Sequence, residues 1–284
     1  MYQIGIDIGG TNVKIGLLNE ALELCAEISI PFPHTTAEDM AAQIRAAVGP
    51  MLQARGAALS DVESLGAVVP GSIDAAGETV VDAHNLNFHN VPLRKILSDA
   101  FPGIPVYIAN DANGAALAEL YTGAFVGCKT GVLLTLGTGL GGGIILNGKV
   151  LMGAHAAAGE VSGLVSDISK MTDDDFKLTS VERYSEAPLW AGMASASGLI
   201  FEYARQKHLP TGSPMPTGEE IFAAYNAGEP EAQKALKIFA RRVAVGILSL
   251  QNVLDVEKVA IGGGLSAAAV SYTHLRAHET LRHL

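Results

Sequence analysis

Apolar residues open the chain in a tight alternation, Ile4-Gly5-Ile6-Asp7-Ile8, and resume after Gly9-Gly10-Thr11 as Val13-Lys14-Ile15-Gly16-Leu17-Leu18. Two apolar runs around a glycine turn predict a hairpin. Over residues 36–56 the period changes. Thr36-Ala37-Glu38-Asp39 reads as a helix start, and Met40, Ile44, Ala47, Val48 and Met51 fall on one helical face. Leu65-Gly66-Ala67-Val68-Val69 predicts a buried strand ending at Pro70-Gly71. Val106-Tyr107-Ile108-Ala109 predicts another, ending at Asn110-Asp111 before an alanine-rich helix at 112–120. The second half repeats the opening: Gly131-Val132-Leu133-Leu134-Thr135-Leu136, a glycine turn at 137–143, then Ile144-Ile145-Leu146. Strand, glycine turn and strand therefore occur twice, at about 4–18 and 132–146, as in an internal duplication. A helix follows over 230–252, with Ala235, Ile238, Phe239, Val243, Ile247 and Leu250 as its apolar stripe. A strand at 256–261 then runs into Gly262-Gly263-Gly264. No low-complexity linker separates the halves, which places a hinge near 110–120.

Composition narrows the class. The chain has 284 residues, 49% of them apolar and 17% charged, with a formal net charge of −10. That length allows one large domain or two of about 100–150 residues. The acidic balance argues against a nucleic-acid partner, whose affinity would come from clustered Lys and Arg. Cys25 and Cys128 are too few for a disulfide scaffold. Without a basic leader or a long uncharged apolar run, the expectation is a soluble cytoplasmic protein that does not engage a membrane. The final residues, SYTHLRAHETLRHL, differ in character. His274 and His278 are spaced for one helix face, but no third metal ligand accompanies them, so a solvated end is expected.

Glycine bends between strands let backbone N–H groups converge on phosphate oxygens without Cβ interference. Gly9-Gly10-Thr11 and Gly137-Thr138-Gly139 are two such bends, each with a hydroxyl donor, and Asp7 stands where a carboxylate can hold a hydrated magnesium ion. Either bend alone reads equally well as a plain hairpin turn; the matched pair beside an aspartate favours phosphate. Residues 137–142 also fit G-x-G-x-x-G, but a strand rather than a helix follows, which excludes a Rossmann site. No P-loop sequence is present. Asn110-Asp111, at a strand-to-helix junction, suits either a helix cap or a substrate-binding amide beside a general base.

Together these segments resemble the ROK sugar kinases: DIGGTN at 7–12, VPGSID at 69–74, NLNFHNVPL at 85–93, ND at 110–111, TLGTGLGGGI at 135–144, GE at 159–160 and IGGGLS at 261–266. The resemblance implies an α/β chain with the two-domain actin-like, hexokinase-type ATPase fold, a duplicated ribonuclease H-like motif with ATP and sugar in the cleft between domains. Domains are expected at 1–115 and 116–270. It further implies that Asp7 organises Mg²⁺, that Gly9, Gly10, Thr11, Asn12, Lys14, Thr138 and Gly139 serve the ATP phosphates, and that Gly262, Gly263 and Gly264 lie against the adenosine. Gly71, Asn85, Asn110 and Glu160 would line the sugar pocket, with Asp111 as the base that activates the accepting hydroxyl. A homodimer is expected; Tyr121 to Phe125 are candidates for part of its contact, although core packing accounts for those aromatics equally well.

The chain departs from that family in three places. Ser162-Gly163 stands where many members carry the Gly-His of a zinc or sugar site, and the downstream cysteine cluster is missing, so no zinc is expected. Ala191 occupies the place of a frequent sugar-contacting glutamate. Residues 271–284 do not resemble the family's closing helix and are expected to be a non-native tail. The leading expectation is ATP-dependent phosphorylation of a hexose hydroxyl, C6 of glucose or of a β-glucoside. Its alternatives are an inactive sugar-binding sensor of the same fold and a kinase for fructose or N-acetylmannosamine. A DNA-binding repressor is disfavoured, because only six residues precede Asp7.

Overall fold

The computed structural model describes residues 1–32, 35–166, 189–210 and 212–265. They fall into two compact units. One comprises Met1–Gly123 with Val150–Ala158; the other comprises Ala124–Lys149 and the described residues from Gly159 onward. The histidine-bearing tail lies outside the described residues.

In the first unit the opening alternation becomes the hairpin β1 (Tyr2–Ile8) and β2 (Asn12–Leu18), with Asp7 directly across from Lys14. Ile4, Ile6 and Ile8 from one strand and Val13, Ile15 and Leu17 from the other are all buried. With β3 (Leu24–Pro31), β4 (Val62–Val69) and β8 (Val106–Asn110) they form a sheet of order β3-β2-β1-β4-β8, in which β4 runs parallel to both β1 and β8. Helix α1 (Ala37–Gln53) is capped by the Thr36 side chain, which accepts from the Asp39 N–H at 3.1 Å. It buries Met40, Ile44 and Val48, each side chain contributing about 1.5–3 kcal/mol. A small sheet of β5 (Ser72–Ile73), β6 (Val80–Ala83) and β7 (Phe88–Val91), helix α2 (Leu93–Ala100) and helix α3 (Asp111–Thr122) complete the unit.

The second unit repeats the topology. The antiparallel pair β9 (Gly131–Leu136) and β10 (Leu140–Leu146) is followed by β11 (Lys149–Val150) and, much later, β12 (Lys258–Gly262), in the order β11-β10-β9-β12 with β12 parallel to β9. Thus β9, β10 and β12 stand as β1, β2 and β4 do, which is the duplication legible in the sequence. The last strand begins at Lys258 rather than 256, because the preceding helix ends late: Asp255 adopts a left-handed cap, φ 46°. Among the described residues, four helices accompany this sheet, α4 (Trp190–Ala194), α5 (Ala196–Gln206), α6 (Gly218–Asn226) and α7 (Pro230–Leu254). Trp190 is wholly buried, donates its indole N–H to the Arg242 carbonyl at 2.9 Å, and lies where Gly246 leaves room by lacking a side chain. Of the aromatics at 121 and 125, Phe125 is fully buried, with its ring 3.0 Å from where a Gly131 Cβ would be, so core packing accounts for it; Tyr121 is 64% exposed. No described helix is long and apolar enough to cross a membrane.

Candidate active site

The parallel strands β1, β4 and β8 release their chains at one edge of the first sheet, where α/β folds bind ligands. Asp7 sits one residue before the end of β1, Pro70-Gly71 follow β4, and Asn110-Asp111 join β8 to α3. The bend after Ile8 closes through the Gly9 N–H, which donates to the Asn12 carbonyl at 2.9 Å. Gly10 lies against Asn85: a Cβ there would stand 3.2 Å from the Asn85 carbonyl oxygen, so both predicted ligands share one corner. Asn87, at φ 55°, ends the short helical turn that presents Asn85. Lys14 Nζ is 3.9 Å from Asp7 Oδ2, a loose and largely exposed pair.

Asn110 caps the helix, and its amide also reaches the neighbouring loop. Its Oδ1 caps α3 by accepting from the Ala112 and Asn113 N–H groups at 2.9 and 3.2 Å, while its Nδ2 donates to the Gly71 carbonyl at 3.0 Å. Only the second amide hydrogen is then left for a ligand. Gly71 itself has φ +95°, and a side chain there would collide with the Asp82 carbonyl. Asp111 accepts the Ala112 N–H at 2.8 Å. Desolvation of its carboxyl is the largest influence on its pKa and raises it; the negative charge of Asp7 raises it further. These outweigh the opposing bonds from Ala112 and Asn110.

In the second unit the bend between β9 and β10 closes by a Gly137 N–H to Gly139 carbonyl bond of 3.0 Å. It is tied to the start of α5, where the Ala196 N–H donates to the Gly137 carbonyl at 2.8 Å and the Ser197 hydroxyl to the Thr138 carbonyl at 2.9 Å. Gly263, at φ +88°, passes so close to β9 that a Cβ would stand 2.5 Å from the Leu136 oxygen, so Gly262-Gly263-Gly264 adjoin that bend. Glu160 is placed by its neighbour. Gly159, at φ +93°, packs on Gly142, whose own Cβ would meet the Gly159 carbonyl at 2.8 Å. Ser162 and Gly163 lie in the short turn that follows, and Ala191 is buried in α4.

The sequence profile described as "ROK family" matches residues 3–280. This chain belongs to the ROK family. Its ROK relatives include a glucokinase of Halalkalibacterium halodurans, 31% identical over 94% of this chain and 81% of the relative. A β-glucoside kinase of Listeria innocua is 28% identical over 96% of this chain and 85% of its own length. Among solved structures, a ROK glucokinase from Streptomyces griseus in complex with glucose and AMPPNP superposes with a TM-score of 0.71 at 28% identity, covering 94% of this chain and 85% of that one. The fold is the actin-like, hexokinase-type ATPase fold of the ROK sugar kinases.

Within the first ROK unit the structure brings together Asp7, Gly9, Gly10, Asn85, Gly71, Asn110 and Asp111 along one sheet edge and its loops. Thr11, Asn12 and Lys14 follow on β2 and the bend before it. The second unit holds Thr138, Gly139, Gly262, Gly263, Gly264 and Glu160. Sequence reasoning passed over Asn113, a buried amide one turn after Asn110. Its signal was present: a lone amide in an otherwise alanine-rich helix, three residues after the cap.

Proposed function

We propose that this chain transfers the γ-phosphoryl group of ATP to the C6 hydroxyl of glucose or of a β-glucoside, with Asp111 as general base. The reading rests on one observation, the raised pKa of Asp111 at the edge where Asp7, Gly71 and Asn110 also end. A carboxylate with a raised pKa is a stronger proton acceptor. Asn110 holds the Gly71 loop in register with the first turn of α3, and Glu160 supplies a second carboxylate for sugar hydroxyls. Gly9, Gly10, Thr11, Asn12, Lys14, Thr138 and Gly139 serve the phosphates, with Gly262, Gly263 and Gly264 at the adenosine.

Asp7 suits a magnesium ion held through water, since its carboxylate is half exposed and only loosely paired with Lys14. Bound Mg²⁺ supplies charge neutralisation of the phosphates; the protein supplies positioning and proton acceptance, the main demands of phosphoryl transfer. The reading includes no zinc, and it places the enzyme in the cytoplasm as a homodimer.

The test is ADP release from Mg-ATP across a panel of glucose, β-glucosides, fructose and N-acetylated hexosamines, run beside Asp111→Asn. Turnover with glucose or a β-glucoside that is lost in the variant supports the proposal. Preference for an N-acetylated sugar would reassign the substrate. Sugar binding without turnover would leave a sensor.

A further inference from the structure

Among the described residues, one buried side-chain polar atom has no hydrogen-bond partner, Asn113 Oδ1. Asn113 is only 5% exposed, in the first turn of α3, two residues after Asp111 and three after Asn110. The other end of its amide fares little better: Nδ2 faces the Met152 sulfur at 3.9 Å, and a thioether is a weak acceptor. Burying an amide so poorly matched is destabilising, whereas an apolar side chain of the same branching would carry no such desolvation cost.

Packing does not ask for an amide here. The neighbouring positions of α3 that meet the core are Ala112 and Ala116, and Gly114 is in close contact with Val68 of β4. The helix N-terminus is already capped by Asn110, so Asn113 is not needed for that either. Its cover, by contrast, can move. Met152 is 37% exposed and belongs to the segment Val150–Ala158, which packs with the first unit and leads directly into Gly159-Glu160. An unbranched methionine changes rotamer at little cost. A local rule broken two residues after the proposed base, with the amide's nitrogen against a flexible thioether, is the pattern expected of a binding group.

We propose that Asn113 is a sugar-binding residue, whose Oδ1 accepts a hydrogen bond from one hydroxyl of the hexose once Met152 turns aside. The inference rests on the sugar-kinase reading and deepens it. Asn113 discriminates among sugars by the hydroxyl it recognises, while Asp111 acts on the hydroxyl that is phosphorylated.

The experiment measures sugar binding by calorimetry and melting temperature for the full chain, Asn113→Leu and Asn113→Ala, with the preferred sugar and its complete set of monodeoxy analogues. Asn113→Leu is expected to melt at or above the parent temperature while binding the parent sugar about tenfold more weakly. That penalty should vanish for the one deoxy analogue lacking the recognised hydroxyl. Asn113→Ala, which introduces no bulk, should lose affinity in the same analogue-specific pattern even if the leucine variant folds poorly. A lower melting temperature with unchanged sugar affinity would make Asn113 a structural residue and overturn the proposal, as would a penalty equal across all analogues. Because binding is the readout, sugar bound without phosphoryl transfer would sink the kinase reading alone; no sugar binding at all would overturn both.

Discussion

In the proposed reaction the chemistry concentrates at a single carboxyl group. Asp111 has its pKa raised first by desolvation and then by the charge of Asp7, so its proton-accepting form is lost on acidification at a higher pH than for an ordinary aspartate. The acid limb of kcat should therefore lie at a higher pH than an unperturbed aspartate would give. Asp7→Asn removes one of the two raising influences and should move that limb to lower pH, although desolvation keeps it from returning fully. A pH–rate profile of the residual activity checks this; a limb that stays in place would mean that Asp7 does not act on Asp111. The sign for stability is the reverse of that for catalysis. A carboxyl whose folded pKa is raised contributes stability below its unfolded pKa and loses it as pH rises through the folded value. Asp111→Asn should thus abolish turnover without lowering the melting temperature at neutral pH. At this scale the motifs single out Asp7 and Asp111 as candidates in the sequence, whereas no motif there marks Asn113, whose burial and facing groups only the fold shows.

At the scale of elements, α3 begins with the proposed base, and Asn110 caps α3. Removing a capping side chain costs about 0.5–2 kcal/mol, and here the same amide also binds the Gly71 carbonyl. Asn110→Ala should therefore lose about 1–2 kcal/mol in denaturant unfolding and also raise the sugar KM; an effect on only one of the two would separate cap from ligand. In the second unit a buried charge joins α5 to α7. Glu202 binds Arg205 at 2.6 Å and Arg242 at 2.8 Å. Burial opposes its ionisation, but the bonds from Arg205, Gln206 and Arg242 outweigh that and lower its pKa. A lowered carboxyl pKa contributes stability above the unfolded value that is lost as pH falls through the folded one. Glu202→Ala, which strands Arg242, should cost about 3 kcal/mol at pH 7 and flatten the acid side of the stability curve, measured by urea unfolding at several pH values. Elements with a long period or a glycine turn, such as α1, α7 and both hairpins, were legible in the sequence. The strands β5 to β7, two to four residues each, were not, because so short a run carries no period of its own.

Over the whole molecule, the recurrence of β1-β2-β4 as β9-β10-β12 gives each unit the same device: a glycine bend with one threonine at the head of its antiparallel strand pair. The repeat was visible in the sequence because glycines punctuate both hairpins. The order of the strands was not, because it depends on pairings between β1 and β4 and between β9 and β12, far apart in the chain. A bend of this shape needs no ligand to explain it, since Gly9 and Gly137 close their own turns. What distinguishes a phosphate clamp is that the threonine hydroxyl does work in both copies. Thr11→Ala and Thr138→Ala should each raise the KM for ATP about 2–10-fold, the worth of one neutral hydrogen bond, with little change in the KM for sugar. If both hydroxyls act on one nucleotide, the double variant should depart from the product of the single effects, as groups sharing a ligand do. Strict multiplicativity would mean that the bends act independently, and a silent Thr138→Ala would reduce the second bend to a hairpin turn, leaving Gly262-Gly263-Gly264 as the second unit's contribution to the nucleotide.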